Sequence, residues 1–352
     1  MGETAKTIKK GDIGRFIEML ASEAVLIAPV QRAGETTFST VDGPEEVTLD
    51  YLNSLIPPKR FVLPQTEPMF AYDVNSKYEM KPIYDEEKRI LFGVRPCDVS
   101  AIAFLDHFFT ENIPDIYYAK RRENTTIISM TCQEPGENCF CICAECGPFA
   151  DSGFDIQLTD LGSKYLAEIG TERGAQLAAK AGGLFADASD DEVKRRDELA
   201  AAAEKNFKST TTYFAAAIRR ISTEAVPEEL WQELGDRCLA CGGCSYVCPT
   251  CSCFNVVDLG LGVGTRMRCW DSCALAGFTR MAGGHNPRKE KQDRRNRRFY
   301  HKLSYYYIQR QGRHGCVGCG RCISVCLGGI DMPAVVKMIR RGDIPARAAA
   351  GG

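Results

Sequence analysis

Cys238-Leu239-Ala240-Cys241-Gly242-Gly243-Cys244-Ser245-Tyr246-Val247-Cys248-Pro249 and Cys316-Val317-Gly318-Cys319-Gly320-Arg321-Cys322-Ile323-Ser324-Val325-Cys326 repeat one pattern. Each has three cysteines at every third position and a fourth cysteine four residues further on. Thiolates so spaced in a tight loop reach three corners of one 4Fe-4S cube, and the fourth, on the turn of helix that follows, ligates the cube of the other loop. The spacing therefore predicts one cluster on Cys238, Cys241, Cys244 and Cys326, and a second on Cys316, Cys319, Cys322 and Cys248. Structural zinc normally takes two more widely separated Cys-x-x-Cys pairs, and disulfides need an oxidising compartment. Electron transfer is the chemistry that this carboxy-terminal module predicts.

Around it, 352 residues give room for two domains or slightly more, each with its own core. Lys and Arg total 44 against 46 acidic residues, a balance that offers no overall attraction to nucleic acid or to an anionic membrane. No window of about 18 apolar residues occurs, so no membrane span is expected. Met1 to Val30 lacks the basic start, apolar run and small-residue cleavage site of a secretory signal, so the expected location is cytoplasmic. In that compartment the 18 cysteines argue for metal ligation over disulfides.

The first half reads as mixed α/β. Arg89–Val94 is an apolar run broken by Arg95-Pro96-Cys97-Asp98, after which Ile102, Leu105, Phe108 and Phe109 recur at helical spacing. A second run ends at Met130, again in a polar break, Thr131-Cys132. Parallel strands here would set Cys97 and Cys132 at one carboxyl edge, where open α/β sheets hold ligands. Residues 163–222 turn rich in Ala, Glu, Lys and Arg, with a capping-box pattern at Ser189-x-x-Glu192, and Pro227 is expected to start a helix leading to Cys238. The chain is thus expected to be α+β. A mixed α/β domain with a cysteine-rich segment covers 1–162 and a helical connector 163–225. A two-cluster 4Fe-4S ferredoxin-like domain covers 226–345 with a long insertion at 249–315, and 346–352 form a flexible tail.

Ten cysteines remain. Cys97, Cys132, Cys139, Cys141, Cys143 and Cys146 lie in the first half, five of them within Cys132–Cys146. Cys97, Cys132, Cys139 and Cys141 suffice for a third metal site, iron-sulfur favoured over zinc, the alternative being buried free thiols. Cys251, Cys253, Cys269 and Cys273 form a second leftover set, ligands of an additional site or simply the lining of a cluster pocket. Arg288–Lys302 holds eight basic residues against two acids. Guanidinium groups beside a negatively charged cluster would raise its potential, and an exposed basic face would suit an acidic redox partner; a plain solvated helix face is the competing reading. Gly260-Leu261-Gly262-Val263-Gly264 lacks the spacing and the downstream acid of a dinucleotide fold. His107, on its apolar helix, is expected to be a packed residue.

Taken together, Gly93-Val94-Arg95-Pro96-Cys97-Asp98, the Cys132–Cys141 segment with Glu134-Pro135, Cys248-Pro249-Thr250-Cys251-x-Cys253-Phe254, Trp270-Asp271-Ser272-Cys273 and His285-Asn286-Pro287-Arg288 resemble the iron-sulfur β subunit of soluble sulfhydrogenases and the A subunit of anaerobic sulfite reductase. The resemblance runs from about Phe61 to Lys337. It implies a non-catalytic subunit of an oxidoreductase complex of anaerobic metabolism. Such a subunit relays electrons between a flavoprotein of the diaphorase type, linked to a nicotinamide nucleotide or ferredoxin, and a catalytic subunit with hydrogenase or sulfite- or sulfur-reducing chemistry. The rival reading is a catalytic subunit that reduces a disulfide or sulfur species at a cysteine-rich metal site near Cys132 or Cys251. This chain departs from the pattern at Cys326, which is followed by Leu327-Gly328-Gly329 in place of proline, and in its extra Cys143 and Cys146.

Overall fold

The computed structural model describes residues 4–76, 78–207 and 212–342. Its centre is an eight-stranded sheet in the order β10-β1-β9-β8-β7-β6-β2-β3. These strands are β1 (Thr4–Lys9), β2 (Val25–Arg32), β3 (Glu35–Thr40), β6 (Arg89–Val94), β7 (Thr125–Met130), β8 (Ile156–Asp160), β9 (Lys164–Ile169) and β10 (Phe185–Asp187). β2, β6, β7 and β8 run parallel and the flanking strands antiparallel. Every residue of β6 and β7 is buried, as strands covered on both faces must be; β6 is accordingly largely apolar, while in β7 the buried hydroxyls of Thr125 and Ser129 donate to the carbonyls of Arg121 and Val94. Helices α1 (Ile13–Glu23), α2 (Pro96–Thr110), α3 (Ile116–Glu123), α4 (Glu172–Lys180) and α5 (Asp190–Lys205) accompany the sheet, α5 opening with the expected Ser189–Glu192 capping box.

Residues 163–225 are not a purely helical connector. Lys164–Ile169 is strand β9 and sits between β8 and β1, so the sheet continues past residue 162. Its Tyr165, Leu166, Ala167 and Glu168 are buried, and the segment is held by pairing on both sides, which overrides its weak local preference. Only α6 (Phe214–Ser222) belongs to the carboxy-terminal half, packing on α9 (Lys291–Leu303) and α12 (Met332–Arg341).

The insertion ties the two halves together. Its hairpin, β11 (Phe254–Leu259) and β12 (Val263–Trp270), extends a second, antiparallel sheet with β4 (Thr66–Asp73) and β5 (Glu79–Pro82), in the order β11-β12-β4-β5. The glycine run is the turn of this hairpin, with Gly260 at φ 107° and Gly262 at φ 78°. Arg268 of β12 is buried against Glu67 of β4, and Arg121 of α3 completes a charge triad by donating to Glu67 Oε2 at 2.6 Å. Past the hairpin, α9 and α7 (Glu228–Arg237) cross with Trp231 stacked on Phe299 at 6.4 Å, inside a core shared with Phe214, Leu234, Leu303 and Val336. Residues 346–352, expected to form a tail, lie outside the described residues.

Candidate metal centres

The two cysteine runs fold alike. In each, a residue with positive φ precedes the second cysteine and a glycine with positive φ follows it: Ala240 (54°) and Gly242 (76°) in the first, Gly318 (65°) and Gly320 (76°) in the second. Each loop then enters a single helical turn, α8 (Gly243–Tyr246) and α11 (Arg321–Ser324). This left-handed punctuation wraps the backbone and turns successive thiols inward. Cys238, Cys241, Cys244 and Cys326 line one cavity of about 30 Å³. Ala240 N donates to Cys238 Sγ at 3.3 Å and Ile330 N to Cys326 Sγ at 3.4 Å. In place of proline after Cys326, Arg237 holds the chain by donating to the carbonyls of Gly328 and Gly329, each at 3.1 Å. Cys316, Cys319, Cys322 and Cys248 form the neighbouring group: the charge of Cys248 bears on each of the other three, and that of Cys322 on Cys316.

The basic helix α9 is turned inward. Arg294, Arg295, Arg298 and Lys302, spaced so as to share one face, are all buried. Arg295 Nη1 lies 3.8 Å from Cys244 Sγ, and Arg298 sits between the two cages, where Cys244, Cys322, Cys251 and Cys248 all bear on its charge. Arg295 Nε and Nη2 and Arg298 Nε and Nη1 are buried without a partner. Orphaned guanidinium donors beside two rings of thiols are costly in an empty protein and natural beside an anionic thiolate-bound cluster. The residues thus fit 4Fe-4S clusters. Lys59 Nζ, also buried, donates to the carbonyls of Cys248 and Cys251 at 2.7 Å each, and Lys302 Nζ to Thr250 Oγ1 and Gly315 O at 2.8 and 2.7 Å. Burial raises Cys316, Cys319 and Cys322, the last two to about 11 and about 12. At Cys244 burial also pushes upward, but Arg298 and Arg295 overcome it and the thiol falls below its ordinary value.

A third cysteine cavity, of about 20 Å³, lies at the carboxyl edge of the large sheet. Cys97 follows β6 and Cys132 follows β7, side by side as parallel strands place them, and Cys139 and Cys141 line the same cavity. Burial raises all four thiols. Cys319 of the second run lines this same cavity. Phe140 N donates to Gly318 O at 2.8 Å and Asn53 Nδ2 to Cys319 O at 2.9 Å. Beneath them Arg321 clasps Asp98 through two bonds of 2.6 and 2.7 Å, both side chains 2% exposed. Arg95 Nη1 donates to Thr131 O at 3.0 Å, while its buried Nε has no partner and stands near Cys132. The extra Cys146 lies outside the cavity and takes a hydrogen bond from Arg313 at 2.5 Å. Among the described residues no three His, Cys, Asp or Glu side chains converge tightly enough for a single metal ion, so the thiols stand around cavities instead of on a point.

Next to the third cavity, sharing Arg95 and Cys132 with it, is a far larger hollow. It measures about 440 Å³ and is lined also by Lys10, Tyr51, Asp160 and Tyr165. Sequence reading did not anticipate it, because its walls come from five separate segments. Of the leftover cysteines in the insertion, Cys251, Cys253 and Cys273 line a further cavity, whereas Cys269 lies on β12 opposite Asn255 and Thr66. His107 is exposed, not packed; its Nε2 lies 2.9 Å from Arg310 O on α10 (Tyr305–Gln311).

A 4Fe-4S dicluster domain model matches residues 237–330, the span of both runs. Sulfhydrogenase 2 subunit beta of Pyrococcus furiosus is 32% identical over 331 residues, covering 94% of this chain and 96% of that one. The chain belongs to the sulfhydrogenase β subunit family. It is an iron-sulfur protein of that family, as the resemblance implied, and in the described residues no helix is long and apolar enough to cross a membrane. Among solved structures, a chain of the F420-reducing [NiFe] hydrogenase complex from Methanosarcina barkeri matches with a TM-score of 0.36 and 11% identity, over 58% of this chain and 91% of that chain, a likeness too slight to carry an argument.

Proposed function

We propose that this family member is the electron-transfer subunit of a multi-subunit oxidoreductase, relaying electrons between a flavoprotein and a catalytic subunit of the hydrogenase or sulfite/sulfur reductase type. The flavoprotein is linked to a nicotinamide nucleotide or ferredoxin, and the complex is cytoplasmic. Cys238, Cys241, Cys244 and Cys326 hold the first 4Fe-4S cluster, Cys316, Cys319, Cys322 and Cys248 the second, and Cys97, Cys132, Cys139 and Cys141 a third. Clusters so held exchange one electron at a time, at potentials set by charge, hydrogen bonds and exposure.

The observation that carries this reading is the series connection of the three cages. The charge of Arg298 bears on Cys244 of the first and on Cys322 and Cys248 of the second, and Cys319 belongs to the second while lining the third. The protein's part is to fix spacing and exclude water, and it does so with the buried Arg321–Asp98 pair and the Phe140–Gly318 bond. Cys241 is exposed, and Leu239 and Leu327 beside it are 64% and 89% exposed, so the first cage faces a partner.

Anaerobic purification should yield about twelve iron and twelve sulfide per chain if three cubanes are present. Paramagnetic resonance after dithionite should show interacting centres. Material with no iron would overturn the proposal. The 440 Å³ hollow against Cys132 favours one second reading, reduction of a sulfur species or disulfide at that edge, since pockets of this size hold small molecules. Turnover of polysulfide or a disulfide by the isolated chain with an artificial donor would select it over the relay.

A further inference from the structure

The insertion's leftover cysteines have a cavity of their own. Cys251 and Cys253 follow the first run, Cys273 follows β12, and His301 comes from α9; all four line a hollow of about 20 Å³, the volume of the third cage. The backbone arranges this meeting. Phe254 and Trp270 are the last pair of the β11–β12 ladder, and Asp271 N donates to Cys253 O at 2.9 Å, which holds Cys253 and Cys273 side by side at the hairpin's base. Arg298 and Lys302 also line the hollow, and no carboxylate does. Arg298 is 3% exposed and keeps two donors without a partner. A desolvated cation of this kind calls for an anionic occupant.

We propose that Cys251, Cys253, Cys273 and His301 hold an additional iron-sulfur cluster, distinct from the two of the dicluster pattern and from the third cage. Three thiolates and one imidazole form an accepted metal-ligand set, and imidazole ligation raises a cluster's potential relative to thiolate. The spread of the four groups around a hollow suits a multi-atom cluster better than one ion. Because Cys251 adjoins Cys248, a ligand of the second cage, the new centre stands beside the relay as a branch of higher potential. The proposal rests on the relay reading only for the identity of its neighbours.

The test compares the anaerobically purified full chain with the double variant Cys253→Ser, Cys273→Ser. The variant should lose about four iron and four sulfide, with the signals of the dicluster retained. Equal, non-zero iron in the two proteins would overturn the site and leave the relay intact, while an iron-free parent would sink both. Should the double variant fail to fold, the parent alone decides. Pulsed paramagnetic resonance of the reduced protein should show a nitrogen hyperfine coupling on one centre, abolished by His301→Cys with iron unchanged, and absence of that coupling from the parent would overturn the assignment.

Discussion

The two cysteine loops share a backbone and face different worlds. In the first, Cys241 and Leu239 are exposed, Ala240 is half-buried against the carboxy-terminal core, and the position before the third cysteine is Gly243. In the second the matching positions are Gly318, Cys319 and Arg321, all turned into the amino-terminal half, where Asn53, Ser54, Asp98 and Phe140 receive them. One pattern of ligands therefore serves two purposes. The outer loop leaves Cys241 at the surface, and the inner loop is clamped to the third set of cysteines, so the same ligand spacing is turned to solvent in one copy and into the amino-terminal half in the other.

The largest effect is expected at the clamp. Asp98→Ala leaves the Arg321 guanidinium buried with its principal partner gone, which typically costs about 3–5 kcal/mol. Denaturant titration of the anaerobic protein, followed by the visible absorption of the clusters, should show that loss. A change below about 1 kcal/mol would mean that the inner loop is not anchored by this pair.

Next comes Gly318→Ala. A Cβ there would lie 2.4 Å from Phe140 O and 2.5 Å from Cys141 Cα, both backbone atoms, at a φ of 65°. Strain and overpacking together should cost about 2–5 kcal/mol. The damage should be local: iron assigned to the cage of Cys97, Cys132, Cys139 and Cys141 should be lost at lower denaturant than that of the first loop. Simultaneous loss of all iron would show the loops to be one cooperative unit.

How much of this was readable in advance depends on the range of the contacts. The ligand runs are local patterns, and the meeting of Cys97 with Cys132 followed from two apolar strands each ending in a polar break. The joining of β12 to β4 was not legible, since Arg268 and Glu67 are 201 residues apart and neither segment names its partner. Strand β9 is hidden in the sequence because its six residues lead into an Ala- and Glu-rich stretch and show little periodicity of their own. The apolar run of α2 suggests a packed His107, but the helix leaves it with exposed Ala103 and Thr110 on the outer side. The inward turn of α9 had a signal that charge counting hides. Arg294, Arg295, Arg298 and Lys302 recur at helical spacing, a pattern that an anionic centre can draw inside as easily as water can leave outside.

That inward face offers a third, smaller effect, read as a potential. Arg298→Met removes a positive charge that bears on Cys244 of the first cage and on Cys322 and Cys248 of the second. The reduced state, one electron more negative, loses more than the oxidised state, so both midpoints should fall, by on the order of 60 mV for a tenfold change in a one-electron equilibrium. Redox titration monitored by paramagnetic resonance measures this. Unmoved midpoints would remove Arg298 from the account of how the clusters are tuned.

The smallest effect is the sharpest test of the comparison. Ala240 occupies the position of Gly318 at a φ of 54°, where a side chain costs about 1–2 kcal/mol in backbone strain. Ala240→Gly relieves that strain but gives the unfolded chain more freedom, which offsets about 0.4–1 kcal/mol of the gain. The net should lie within about 1 kcal/mol of zero, with iron content and potentials unchanged, because Ala240 gives up only the contact of one partly buried methyl with the carboxy-terminal core, whereas Gly318 meets the Phe140 backbone directly. A loss of several kcal/mol would mean that the Ala240 methyl is held by its core as tightly as Gly318 is held by Phe140, and the outer loop would then be as enclosed as the inner one.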